Sequence, residues 1–186
     1  MNLPNKLTIF RVVLIPLFLV FLYTDFWGRG NLYIAAAIFI IASLTDLIDG
    51  KIARKYNLVT NFGKFMDPLA DKFLVNSSLI LLAVYKSNLL PAIIVILMIG
   101  RDLAVDGMRF IASSKGEVIA ANIYGKLKTV VQMVVIPVIF LNGFPFNYLL
   151  KEYTFILTIV FASIALFFSL LSGIIYIYRG RKFLKD

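Results

Sequence analysis

The chain alternates between long apolar runs and short polar interruptions. Six apolar stretches stand out, at roughly 7–24, 31–54, 67–86, 88–112, 124–143 and 152–178. Each is close to or longer than the ~20 residues that an α-helix needs to cross the hydrocarbon core of a bilayer. The pattern predicts an all-α integral membrane protein of six transmembrane helices, the second, fourth and sixth long enough to project past the bilayer as helix. No Pro/Gly-rich linker, low-complexity tract or internal repeat separates the runs, so residues 1–186 are expected to form a single domain. The first run reads as a retained span, because Met1 to Lys6 lacks the basic region of a secretory leader and no small-residue cleavage site follows.

Composition narrows the class further. Of the 186 residues 61% are hydrophobic and only 16% charged, which excludes an ordinary soluble domain. With no Cys, neither a disulfide nor a thiolate metal site is open to the chain. The net charge of +9 would point a soluble protein toward nucleic acid. Here the basic residues gather at the ends of apolar runs, so the expected partners are membrane lipids and not nucleic acid. With the N-terminus inside, all but Arg29, Lys86 and Lys151 of the 19 Lys and Arg fall on the inner side. That bias predicts a multi-pass protein of the cell membrane with both termini cytoplasmic. The Phe and Tyr residues are expected mostly at lipid-facing or interfacial positions. Arg179, Arg181, Lys182 and Lys185 are expected to anchor the last span on anionic lipid.

One stretch breaks the apolar pattern in a way that matters chemically. Asp46, Asp49, Asp67 and Asp71 are four of the ten carboxylates in the chain. Carboxylates at or near membrane depth are costly and therefore read as functional. On a helix, 46, 49, 50, 53 and 54 share one face, and so do 63, 67 and 71. The polar stretch 55–62 is suited to a turn, so two helices joined there aim four acids into one space. Like charges ~4 Å apart repel by ~4 kcal/mol at an effective dielectric of ~20. Such a cluster holds protons or cations. Oxygen ligands alone, in a chain without His or Cys, favour Mg²⁺, Mn²⁺ or Ca²⁺. Two metals bridged by shared carboxylates suit phosphoryl or phosphodiester chemistry. Gly50, Ala53 and Gly63 lack bulk on the same faces, which allows a ligand close approach, and Arg54 is placed to fork onto a phosphate.

This run, Asp46-x-x-Asp49-Gly50-x-x-Ala53-Arg54, eight residues, then Gly63-x-x-x-Asp67-x-x-x-Asp71, resembles the signature of the CDP-alcohol phosphotransferase family. The resemblance implies six transmembrane helices and transfer of a phosphatidyl or similar group from a CDP-linked donor to an alcohol, with release of CMP. It implies two Mg²⁺ ions, or Mn²⁺ in their place. Asp46 and Asp67 would bridge both ions, Asp49 would serve one and Asp71 the other, with Asp71 also the general base. Gly50, Arg54 and Thr60 match family positions that contact the cytidine nucleotide of CDP-diacylglycerol, and Gly63 shares their surface. A homodimer is the family's common state.

The rest of the chain bears on the acceptor. The stretch from Asn2 to Arg11, and Asp67-Pro68-Leu69-Ala70-Asp71-Lys72, resemble the bacterial branch that uses glycerol 3-phosphate, the phosphatidylglycerophosphate synthases. Asn5, Thr8 and Arg11 recur on a drifting helical face. They are either an interfacial anchor or one wall of the CDP-diacylglycerol site. Arg101, Asp102, Asp106 and Arg109 form either an ion-pair ladder within one helix or an anion pocket in which the two arginines hold the acceptor's phosphate. Lys126 and Lys128 are either flanking charges of the fifth span or the remaining cations of that pocket. The related synthases usually carry Arg-Glu where this chain has Arg101-Asp102. A phosphate-monoester acceptor needs such cations, which favours glycerol 3-phosphate over serine. Cardiolipin, phosphatidylinositol phosphate and phosphatidylserine synthases remain the sister alternatives. Prenyltransferases carry two separate aspartate motifs, and transporters often carry inverted repeats; the chain has neither.

Overall fold

The computed structural model describes residues 2–24, 30–56, 58, 60–85, 90–117, 119, 122–141 and 154–181. Among them are six helices and no strand: α1 (Leu3–Tyr23), α2 (Gly30–Lys55), α3 (Asn61–Tyr85), α4 (Ala92–Ser114), α5 (Ile123–Phe140) and α6 (Thr154–Gly180). The boundaries follow local chemistry. Asn2 caps α1, its side chain accepting from the Asn5 N–H at 3.2 Å, and Pro4 sits in the first turn, where its missing N–H costs nothing. Asn122 caps α5 in the same way, accepting from the Gly125 N–H at 2.7 Å. The third helix begins at Asn61, ahead of the apolar run at 67. Thr60 accounts for the earlier start, because its Oγ1 accepts from the Gly63 N–H at 3.1 Å.

Buried positions fall in narrow stripes. On α1 they are Pro4, Thr8, Arg11, Ile15, Phe18 and Leu22, spaced alternately three and four apart. On α6 they include Thr158, Ala162, Ala165, Ser169, Ser172 and Tyr176, the same spacing in mostly small residues. Small side chains let α6 lie close against α4 and α5, its main neighbours, while α1 packs chiefly on α2 and α3. Each stripe changes character along its length. Thr8 and Arg11 of α1, Lys128 and Gln132 of α5, and Ser172 and Tyr176 of α6 are buried polar residues grouped toward one end. The other end is an apolar core, where Phe18 meets Phe39 at 6.2 Å and Phe140 at 5.7 Å between ring centroids. The site therefore occupies the polar end of a bundle whose rigidity comes from the apolar end.

The outward faces stay apolar. Val13, Leu103, Phe110 and Ile174 are all more than 60% exposed, as suits lipid and not water. Five helices are long and apolar enough to cross a bilayer, making this a multi-pass membrane protein. The exception among the six expected spans is α4. It carries Arg101, Asp102, Asp106 and Arg109 in its second half, four charges where each of the other helices has an apolar stretch with at most two. Arg29, Lys86, Lys151, Lys182, Lys185 and the side chain of Arg54 lie outside the described residues.

Candidate active site

The four aspartates of α2 and α3 come within electrostatic reach of one another. Asp46 interacts with Asp67 and Asp71, and Asp49 with Asp46 and Asp67. The face pattern predicted this convergence; it did not predict what stands among the acids. Arg11 of α1 is fully buried, with Nη1 2.7 Å from Asp46 Oδ1 and Nη2 2.5 Å from Asp49 Oδ2. Its charge also reaches Asp71. Asp67 is held separately, accepting from the Thr8 hydroxyl at 2.7 Å. Two of the three α1 residues expected to form a wall of the donor site, Thr8 and Arg11, thus touch the acids directly.

The donor set suits a hard divalent cation. Its ligating atoms are oxygens, and four carboxylates meet a single buried guanidinium, whose Nε has no hydrogen-bond partner among the described residues. No three of the carboxylates already close into a metal shell among the described residues. Arg11 instead supplies part of the missing positive charge.

Two cavities flank the cluster. The first, about 200 Å³, is lined by Pro4, Asn5 and Thr8 of α1, Gly50 and Ala53 of α2, Leu58 and Thr60 of the connection, and Gly63, Lys64 and Asp67 of α3. It gathers Asn5, Thr8, Gly50, Thr60 and Gly63 in one place. Neutral polar contacts hold its walls. Thr60 Oγ1 donates to Asn5 Oδ1 at 2.7 Å, and Asn2 Nδ2 donates to the Leu58 carbonyl at 2.8 Å. A Cβ on Gly63 would lie 3.5 Å from Asp67 and 3.6 Å from Asn5, so a larger side chain there would begin to fill the space.

The second cavity, about 260 Å³, draws on α3, α4, α5 and α6. Arg101, Arg109, Lys126 and Lys128 all line it, together with Asp71. Lys72, Asp102 and Asp106 complete its charged residues, five cationic against three anionic, leaving two positive charges. The charges of α4 do not form a ladder within that helix. Arg101 does pair with Asp102 at 2.6 Å, but Asp102 also takes Lys128 of α5, Asp106 takes Lys72 of α3, and Arg109 donates to the Tyr176 hydroxyl of α6 at 2.5 Å. The spacing gave the residues a common face; three neighbouring helices supply most of the partners. In a low-dielectric surround such pairing is what makes the charges tolerable.

Residues 1–172 match the CDP-alcohol phosphatidyltransferase family. The chain belongs to that family. It is 43% identical, over 99% of its length and 97% of the relative's, to the CDP-diacylglycerol–glycerol-3-phosphate 3-phosphatidyltransferase of Bacillus subtilis (strain 168). A protein of the same name from Haemophilus influenzae (strain ATCC 51907 / DSM 11121 / KW20 / Rd) is 35% identical over 100% of this chain and 96% of its own. One from Mycoplasma pneumoniae (strain ATCC 29342 / M129 / Subtype 1) is 40% identical over 81% and 71% respectively.

In this family member the sixth helix contributes more than its sequence advertised. Tyr176 is 2% exposed, where tyrosines were expected to face lipid or the interface. Its hydroxyl accepts from Arg109 and from the Asn122 N–H, and its ring lies 5.0 Å from the Arg109 guanidinium. Ser172 accepts a hydrogen bond from Arg101 and donates its own to Asn122 Oδ1 at 2.9 Å. Gly173 lets Arg101 lie along the helix, since a Cβ there would meet Arg101 Cγ at 2.7 Å. The available signal was polar and small residues recurring at 169, 172, 173 and 176 in an otherwise apolar run.

Proposed function

We propose that the chain transfers the phosphatidyl group of CDP-diacylglycerol to glycerol 3-phosphate, giving phosphatidylglycerol phosphate and CMP. The observation that carries this reading is the placement of two unlike cavities on either side of one acidic cluster. Asp67 lines the smaller, neutral cavity and Asp71 the larger, cationic one. The net two positive charges of the larger cavity complement a phosphate monoester, which carries about two negative charges at neutral pH. The names borne by the relatives point to the same donor and acceptor.

Asp46, Asp49, Asp67 and Asp71 would hold two Mg²⁺ ions, with Mn²⁺ an alternative. Bound there, the ions supply Lewis-acid stabilisation of charge on the donor pyrophosphate and on departing CMP. The chain's own residues do the rest. Asn5, Thr8, Gly50, Thr60 and Gly63 receive the cytidine nucleotide, with Arg54 on the same helical face. Arg101, Arg109, Lys126 and Lys128 hold the acceptor's phosphate and so fix its far hydroxyl near Asp71. Asp71 takes the proton of that primary hydroxyl. The freed oxygen pair bonds to the β-phosphorus, which carries diacylglycerol, and the bond from that phosphorus to the CMP oxygen breaks. All six helices cross the membrane, α4 screening its charges inside the bundle, and the site faces the cytoplasm with both termini. The inward bias of Lys and Arg supports this topology.

The test is CMP release from CDP-diacylglycerol by detergent-purified protein with Mg²⁺. Glycerol 3-phosphate, phosphatidylglycerol, serine and inositol phosphate are offered in turn. Release that depends on glycerol 3-phosphate is expected; release with another acceptor alone would reassign the chain to a sister activity.

A further inference from the structure

The larger cavity is lined by charged residues and, one turn further into the bundle along α5 than Lys128, by the neutral Gln132. Gln132 is the unusual member. It is 3% exposed, within a helix apolar enough to cross the bilayer. Among the described residues its amide makes one hydrogen bond, from Nε2 to the Met98 sulfur at 3.6 Å. A thioether is a weak acceptor, and the amide oxygen accepts nothing from those residues. The oxygen is not among the sealed, unpartnered polar atoms, so it is open to whatever occupies the space beside it.

The surroundings say from which side the partner comes. Gln132 also lines a second, apolar void of about 10 Å³, otherwise bounded by Leu, Val, Ile, Met and Ala side chains. That space is at the lower limit of what a water needs and offers it one polar side chain, too few partners to keep it there. The remaining open side is the 260 Å³ cavity. Gln132 lies one helical turn, about 6 Å, deeper than Lys128 on the same buried face. A small acceptor with its phosphate at the cationic residues and its reacting hydroxyl at Asp71 has one polar group left to satisfy, a neutral one. An amide that both donates and accepts suits a neutral hydroxyl. It would be a poor holder for a carboxylate or phosphate, which the cations already serve.

We propose that Gln132 is a specificity-determining residue that hydrogen-bonds the secondary hydroxyl of the acceptor, selecting a vicinal-diol phosphate over a simple hydroxyalkyl phosphate. The inference rests on the transfer reaction proposed above. Asn76 of α3 lines the same cavity. Binding an acceptor that lacks it would leave the Gln132 amide unpaired, which is how buried polar groups discriminate.

The experiment compares glycerol 3-phosphate with 3-hydroxypropyl phosphate, identical but for the secondary hydroxyl, as acceptors in CMP release by the full-length protein. The wild-type protein is expected to prefer glycerol 3-phosphate in kcat/KM on the order of 10- to 100-fold. Gln132→Met conserves length and apolar contact and removes both amide groups. In that variant the ratio between the two acceptors is expected to collapse toward one, the loss falling on glycerol 3-phosphate. A wild-type protein that uses both acceptors equally overturns the proposal, and this arm needs no variant to fold. So does a variant in which both acceptors lose the same factor, the mark of a purely structural role. If wild type releases CMP with neither phosphate but does so with another alcohol, the acceptor assignment itself falls, and this selectivity falls with it.

Discussion

The two cavities on either side of the aspartates are built by opposite strategies. The smaller one uses mostly uncharged and small residues from α1, α2 and the start of α3, tied by Thr60 and Asn5, with Lys64 and Asp67 balancing each other in charge. The larger one uses eight charged residues and draws on four helices, each charge except those of Asp71 and Lys126 held by a named contact to a neighbour. On the reading proposed above, the difference follows from what each ligand brings. A nucleotide offers flat rings, ribose and a pyrophosphate that the acidic cluster can meet through cations, so its cavity needs shape and close backbone approach. A free phosphate monoester brings concentrated charge, so its cavity needs countercharge held in place.

The sharpest break of that contrast is at the acid of the cluster that lines the cationic cavity. Asp71→Asn should lower turnover by ~10²–10⁴-fold while leaving the thermal midpoint in detergent near that of wild type. Undiminished CMP release would remove Asp71 as the base. Next in size, Arg109→Ala and Lys126→Ala should each raise KM for glycerol 3-phosphate on the order of 10- to 100-fold, with KM for CDP-diacylglycerol little changed. A shift in the lipid KM instead would mean that the cationic cavity is not the acceptor's. Thr60→Val tests the opposite wall. It removes the α3 cap and the bond to Asn5, so KM for CDP-diacylglycerol should rise by ~5-fold. An equal rise for glycerol 3-phosphate would merge the two cavities into one. The smallest effect is expected from Tyr176→Phe, which keeps the ring beside Arg109 and loses the hydroxyl. KM for glycerol 3-phosphate should rise by ~3-fold; no change under saturating lipid would leave the ring contact alone holding Arg109.

The neutral cavity was largely readable from the sequence. Gly50, Thr60 and Gly63 lie within one compact motif, Asn5 and Thr8 stood in the N-terminal stretch as one of two readings, and helical spacing was enough to turn the two acid faces toward each other. The cationic cavity was readable in membership and not in wiring. Arg101, Arg109, Lys126 and Lys128 were recognisable because charge in an apolar run is conspicuous. Periodicity within one helix cannot reveal that Asp106 reaches Lys72 or that Asp102 reaches Lys128. Ser172, Gly173 and Tyr176 escaped for a different reason. Hydroxyls and glycines barely alter hydropathy, so α6 reads as a plain span until its neighbours are in place. Arg11 was noticed, yet only the packing of α1 on α2 turns it into the acids.

That last contact also bears on how the chain is made. Arg11 and its partners Asp46 and Asp49 belong to α1 and α2, which leave the ribosome ahead of α3 to α6. A lone arginine or aspartate within a nascent span raises the cost of entering the bilayer by ~2.5–3.5 kcal/mol. Paired across the hairpin, these groups carry part of their own neutralisation into the lipid. The acidic wall of the site can therefore be laid down during synthesis, ahead of α3 and of any ion, and the later helices assemble onto it.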